Sequence, residues 1–233
     1  MNIAEKLLKI AENTEKVFDA GKKREYDTFW DSYQNKGKKK TYMLAFAGEG
    51  WTNTTFKPKY DINVTYGYMT FRNSQITADL VELCEELGIT LDFTGCTDFT
   101  QTFFNSKFRR IGEIDASSAS ALVSTFASAG IVTIDKLKLK NDGTQTFSSS
   151  FLSCENLANI QIEGKIGNSI NFAASPLSAK SIASVVGALS PTVSGKSVTF
   201  NQAAVNAADW SETEYSSWDA LVAQRPNWTF TLS

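Results

Sequence analysis

Phenylalanines and short apolar strands alternate through the middle of this chain at a nearly constant step, and that step constrains the fold more than any other feature. Strand-like segments recur at residues 91–93, 112–115, 136–139 and 160–162, with Phe104, Phe126 and Phe151 between them. The phenylalanines are 22 residues apart (104 to 126) and then 25 (126 to 151). A self-similar period of roughly 20–50 residues marks stacked units, none of which can bury its apolar face alone. The clearest unit, Phe151-x-x-Cys154-x-x-Leu157-x-x-Ile160, turns a residue inward every three positions, and Phe126-x-x-Ala129-x-x-Val132 keeps the same frame.

This period predicts an α/β protein built on a short leucine-rich-repeat β-solenoid at residues 89–164, closed at both ends by caps. The N-terminal cap is read at 41–88. Aromatics and turn formers fill its first part, and Leu80, Leu83, Cys84 and Leu87 then make one helical face that Gly88 ends. The C-terminal cap is read at 165–233. A helix starts at Ser178 or at Ser175-Pro176 and carries Ile182, Val185, Val186 and Leu189, a strand covers 198–200, and a second helix is centred on Trp218, Leu221 and Val222. A closing strand puts Trp228, Phe230 and Leu232 on one face.

Residues 1–40 read differently. Ile3, Leu7, Ile10 and Val17 fall at helical steps, and no proline interrupts the segment. Two readings stay open: a coiled-coil stalk, trimeric in the expected assembly, or a helix folded back on its own body. These four residues are the candidate oligomerisation or anchoring positions.

Composition removes several function classes. The chain has no histidine, which excludes mechanisms that need an imidazole base or ligand. The net charge is −2. Residues 1–40 hold ten Lys/Arg against seven Asp/Glu, leaving thirteen against eighteen for the rest, too little bias for a nucleic-acid binder. Cys84, Cys96 and Cys154 lie among apolar or small residues and read as buried free thiols. The chain shows no apolar run of membrane-spanning length and no signal-type N-terminus, so neither membrane insertion nor a cleaved signal is expected. Scattered carboxylates such as Glu113 with Asp115 form neither an acid–base pair nor a calcium loop. No catalytic residue, metal or cofactor is expected.

On the predicted strands, Asp92, Glu113, Asp115, Lys136, Lys138, Gln161 and Glu163 alternate with the buried positions. They are the candidate ligand-binding face of the sheet.

The Phe151–Ile160 unit, the closing pattern LSAKSIASVVGALS, SVTF and the segment NWTFTL together resemble the BspA-like leucine-rich-repeat proteins over residues 89–233. The leading segments VFDAGKKREYDTFWDSYQ, AFAGEGW and FKPKYDI look like those of repeat proteins encoded by phages and prophages of gut Firmicutes. The resemblance implies a non-enzymatic virion surface protein of tail, baseplate or head-fibre type. It would be made in the host cytoplasm and displayed to a host surface protein or glycan. Its other partners would be further virion proteins and itself, as a homotrimer through the N-terminal helix. The alternative is a bacterial cell-surface adhesin or protein-interaction module.

Overall fold

The computed structural model describes residues 42, 44–58 and 61–233. The chain divides into two units, Met1–Lys38 and Lys39–Ser233, and the described residues all belong to the second. The expected stalk, with Ile3, Leu7, Ile10 and Val17, lies outside the described residues.

The expected leucine-rich-repeat solenoid is corrected by the sheets. The described residues form eight short strands in three separate parallel sheets, with four short α-helices set among them. Strands β1 (Ile62–Asn63) and β2 (Leu91–Asp92) make a two-stranded sheet. The second sheet has the order β3 (Arg110–Asp115), β4 (Thr133–Lys138), β5 (Asn159–Glu163). The third has the order β6 (Ile170–Phe172), β7 (Lys196–Phe200), β8 (Trp228–Leu232). No sheet runs through the body, because helices intervene where strand pairing stops.

Helix α1 (Leu80–Leu87) precedes β2. Asp79 caps it by accepting from the Val81 and Glu82 N–H groups, and Gly88 ends it with φ 65°. The expected apolar face is present and buries Leu80, Leu83 and Cys84. Helix α2 (Ala179–Ala188) begins at the Ser178 cap, one of the two starts read from the sequence, and buries Ile182, Val185 and Val186. Helix α3 (Gln202–Ala207), a 3-10 turn at Trp210–Glu212 and helix α4 (Trp218–Val222) lie between β7 and β8.

What unites these parts is a column of seven phenylalanines. Phe46, Phe71, Phe103, Phe126, Phe151, Phe172 and Phe200 follow one another at ring-centroid distances of 5.0, 5.4, 5.6, 5.2, 4.5 and 6.1 Å. All seven are essentially without solvent exposure. Offset aromatic contacts at such distances contribute about 0.5–1.5 kcal/mol beyond the area they bury. Trp218 closes the column by meeting Phe200 edge-on at 5.6 Å. The expected Phe104 is not in the column. It is half-buried beneath the Arg72 guanidinium at 5.2 Å, and its neighbour Phe103 takes the interior place.

The first five members share one backbone device. Residues two before and two after each phenylalanine have positive φ: Leu44 and Gly48, Met69 and Asn73, Gln101 and Asn105, Ser124 and Ser128, Ser149 and Ser153. Tight turns therefore flank the ring, as where the Thr70 N–H reaches the Gly67 carbonyl and the Ser74 N–H reaches the Phe71 carbonyl. A turn of this kind favours glycine or asparagine at the positive-φ position. Other residues held there cost about 1–2 kcal/mol each. That strain persists because adjacent bends are hydrogen-bonded to each other, for example the Phe71 N–H to the Thr102 carbonyl and the Phe103 N–H to the Thr125 carbonyl.

A hydroxyl ladder accompanies the rings. Thr70, Thr102, Thr125 and Ser150, each just before a column phenylalanine, are buried. Their hydroxyls donate to the carbonyls of Tyr42 (2.8 Å), Gly67 (2.7 Å), Phe99 (2.9 Å) and Leu122. The carbonyls of Tyr42, Gly67 and Phe99 also accept a main-chain N–H, from Ala45, Thr70 and Thr102, so each hydroxyl adds a second donor to a turn carbonyl and is itself satisfied in the interior.

Candidate functional site

The residues expected to form a ligand-binding sheet face do not form one surface. Asp92 stands on the first sheet, where its carboxylate accepts from the Thr94 N–H at 2.8 Å. Glu113, Asp115, Lys136, Lys138 and Glu163 do gather on the second sheet, but they are engaged with one another. Lys136 Nζ lies 3.2 Å from Glu113 and 3.6 Å from Glu163, and Lys138 Nζ lies 3.1 Å from Asp115. Donating to the Glu113 carboxylate raises the Lys136 pKa, and donating to Asp115 raises the Lys138 pKa. Of the expected set, only Gln161 has a side chain with neither a hydrogen-bond nor an ion-pair partner among the described residues, and it lines a cleft.

Strict alternation mislocated the face because β3 and β4 do not alternate. Their buried residues are three apart, Ile111 with Ile114 and Ile134 with Leu137, whereas in β5 the buried Ile160 and the half-buried Ile162 are two apart. The register shifts accordingly between Ile134 and Leu137, the local irregularity of a bulge. Asp135, absent from the expected set, thereby faces outward beside Arg110. The I-x-x-I and I-x-x-L spacings at 111–114 and 134–137 are the signal that would have shown it.

Arg110 organises this end of the sheet. Its Nε and Nη2 donate to the two Asp135 carboxylate oxygens, each at 2.8 Å, and its Nη1 donates to Asp79 at 3.1 Å. Such a fork binds with fixed geometry. Because the other Asp79 oxygen caps α1, one guanidinium ties together α1, β3 and β4.

The cleft that Gln161 lines has a volume of ≈ 670 Å³. One wall is the β4–β5 surface, with Thr133, Asp135, Asn159 and Gln161. The second is one face of α2, with Lys180, Ala183, Ser184 and Gly187, and the third is the segment 212–215. Helix α2 reaches this place because it closes the edge of the second sheet. The outward N–H groups of β5, those of Ile160 and Ile162, donate to the hydroxyls of Ser181 (2.9 Å) and Ser184 (2.8 Å). A sheet edge left open is prone to pair with other chains, and two serines on one helix face close this one.

The far end of α2 is held by Arg225, which donates to the Leu189 carbonyl (2.8 Å) and the Gly187 carbonyl (2.7 Å). The third wall is pinned by Thr213, whose hydroxyl donates to the Trp210 carbonyl at 2.9 Å and accepts from the Tyr215 N–H at 3.1 Å. At its rim Lys180 pairs with Glu212 at 3.4 Å. Burial first, and the adjacent Glu214 carboxylate second, hold the half-buried Tyr215 phenol above the usual tyrosine range. It therefore remains a hydroxyl donor at neutral pH.

The three cysteines are buried and free, as expected. Burial pushes the thiols of Cys84 and Cys96 up to about 11 and that of Cys154 to about 12. Thiols in such a state are poor nucleophiles at neutral pH. Among the described residues, no group of three or more Cys, Asp or Glu is placed to hold a metal ion, and no helix is long and apolar enough to cross a membrane. Comparison with known proteins finds no match to this chain among protein-family models, curated proteins or solved structures.

Proposed function

We propose that this chain is a non-enzymatic binding protein and that its ligand sits in the cleft between the β4–β5 surface, α2 and segment 212–215. One observation carries the reading: a cleft of ligand size has walls from three different elements, each fixed by its own hydrogen bonds, and its charges other than Glu214 are already paired. A volume of this order lies within the roughly 300–1,000 Å³ of small-molecule sites. Acid–base chemistry needs a carboxyl free to exchange a proton with the reacting atom. Asp135 instead has both oxygens on Arg110, Glu212 is paired with Lys180, and Glu214 is left with no second unpaired carboxyl among the lining residues to complete an acid–base pair. This arrangement holds shape, which suits recognition.

The setting proposed is the surface of a bacteriophage particle, with host-surface molecules as ligands and other virion proteins as neighbours. Its support is the sequence resemblance carried by residues 151–160 and the C-terminal segments. Gly187 provides the test, because a Cβ added there meets nothing within 4 Å, so a larger side chain points into the cleft without displacing the core. The labelled full-length chain is expected to bind intact cells of gut Firmicutes saturably. Gly187→Trp should weaken that binding by at least about tenfold, or 1.4 kcal/mol, at unchanged thermal stability. Equal binding by wild type and Gly187→Trp would remove the cleft from the function.

A further inference from the structure

We infer that the cleft takes a neutral carbohydrate, a short oligosaccharide recognised through its hydroxyls and one ring face. This deepens the binding reading above and rests on it. The argument is one of elimination by charge followed by fit. Charged side chains on the walls are committed: Asp135 to Arg110 at 2.8 Å through both oxygens, and Lys180 to Glu212 at 3.4 Å. An anionic ligand would meet Asp135, Glu212 and Glu214 together. A cationic one would find only Glu214 uncommitted to a basic side chain among the lining carboxylates.

What the walls leave available is neutral. The Gln161 amide has no partner among the described residues and offers a carbonyl acceptor beside two N–H donors, a geometry that matches two adjacent hydroxyls of a sugar ring. Asn159 stands on the same strand, two residues away and exposed; its Oδ1 accepts from the Ser178 hydroxyl at 3.3 Å and its Nδ2 lies 3.5 Å from the Thr133 hydroxyl, so the N–H donors are its less engaged side. The Ser184 hydroxyl accepts from the Ile162 N–H and so keeps its own proton to donate. Opposite these groups, the Tyr215 ring is half-exposed on a segment that Thr213 holds in place. An aromatic face suits the C–H face of a pyranose, while the phenol oxygen, its proton hydrogen-bonded to Glu214, still accepts at its edge. Donors and acceptors on one wall and a ring on another are what a polyhydroxylated, uncharged ligand needs.

The test is titration of the ¹⁵N-labelled full-length chain with a panel of neutral mono- and disaccharides (glucose, galactose, lactose, cellobiose, diacetylchitobiose), and in parallel with tetralysine and with sialyllactose. A neutral sugar is expected to shift the amides of Gln161, Ser184 and Tyr215 saturably, with an affinity that does not change as salt rises from about 0.05 to 0.5 M. Gln161→Ala should weaken it by roughly tenfold, and Gly187→Trp should abolish it. Salt-sensitive binding of tetralysine or sialyllactose at these amides, with no neutral sugar bound up to about 50 mM, overturns the carbohydrate assignment. Cells supply the separation between the two proposals. If binding to them is lost in Gly187→Trp yet survives periodate oxidation of their glycans, the cleft stands as a binding site and the carbohydrate falls. If Gly187→Trp binds cells as wild type does, the cleft reading itself falls.

Discussion

Residues 44–153 and residues 166–233 line one interior with the same side chain and hold it there by different backbones. In the first stretch, five phenylalanines sit between positive-φ residues at the −2 and +2 positions, and four of them follow a buried hydroxyl. In the second, Phe172 and Phe200 are strand residues of β6 and β7, directly paired in the sheet, and α2, α3 and α4 complete the packing. The difference teaches that column continuity is set by ring spacing and not by any one chain conformation. The candidate cleft lies where one device gives way to the other, between the last strand of the second sheet and the first helix that follows it.

The strongest way to break this comparison is to remove a ring from each side. Phe126 stacks between Phe103 at 5.6 Å and Phe151 at 5.2 Å, and Phe172 between Phe151 at 4.5 Å and Phe200 at 6.1 Å. If the column is one core, Phe126→Ala and Phe172→Ala should each cost about 3–5 kcal/mol in urea denaturation, within a single transition. Two transitions, or a cost below about 1 kcal/mol for one variant alone, would mean that the stretches fold as separate bodies.

The joint itself gives the next largest effect. Ser181→Ala and Ser184→Ala each orphan a β5 N–H group, that of Ile160 or Ile162. A buried donor left without an acceptor costs about 1–3 kcal/mol. Amide hydrogen exchange should accelerate at Ile160 in the first variant and at Ile162 in the second, while Phe126 and Phe200 stay protected. Unchanged exchange at those two amides would mean that water closes the sheet edge as well as the helix does, and that the joint is not built by these serines.

The two stretches also differ in what the sequence discloses. Capping and periodicity are local, so α1, α2, α4, β7 and β8 are legible from Gly88, Ser178, the Val185–Val186 face and the alternation at 228–232. The phenylalanine step is legible too, but the sequence offers Phe104 as its first member, where Phe103 occupies the interior. The five bends are not legible because Met69, Gln101, Ser124 and Ser149 are not residues whose chemistry announces positive φ. Tertiary hydrogen bonds between neighbouring bends impose it. At the site, Gln161 was foreseen as outward-facing, whereas Asp135, Asn159, Ser184 and Tyr215 were not. Asp135 is hidden by the three-residue spacing of the buried positions in β4. Ser184 and Tyr215 belong to elements that meet the sheet only through tertiary packing.

The smallest effect follows from a contrast of charge. The outer side of the second sheet carries ion pairs, while that of the third presents hydroxyls and an amide from Asn171, Ser197, Thr199, Thr229 and Thr231. Burial disfavours the Asp115 charge, but the Ser117 hydroxyl and N–H and the Lys138 ammonium outweigh it and hold the carboxyl below its usual range. A carboxyl whose folded pKa is depressed binds fewer protons in the folded state. Its stabilisation is therefore present above the unfolded value, near pH 4, and is lost as pH falls through the folded pKa. Asp209 is also lowered, by the Ser211 hydroxyl and then its N–H, but it is fully exposed and stands in the second stretch. Urea midpoints followed from neutral pH down to about 2 should show Asp115→Asn less stable than wild type at neutral pH and the two curves converging in acid. Asp209→Asn should run nearly parallel to wild type, because solvent screens its interactions. Convergence by Asp209→Asn and not by Asp115→Asn would put the acid sensitivity in the second stretch and reverse the contrast between the two sheets.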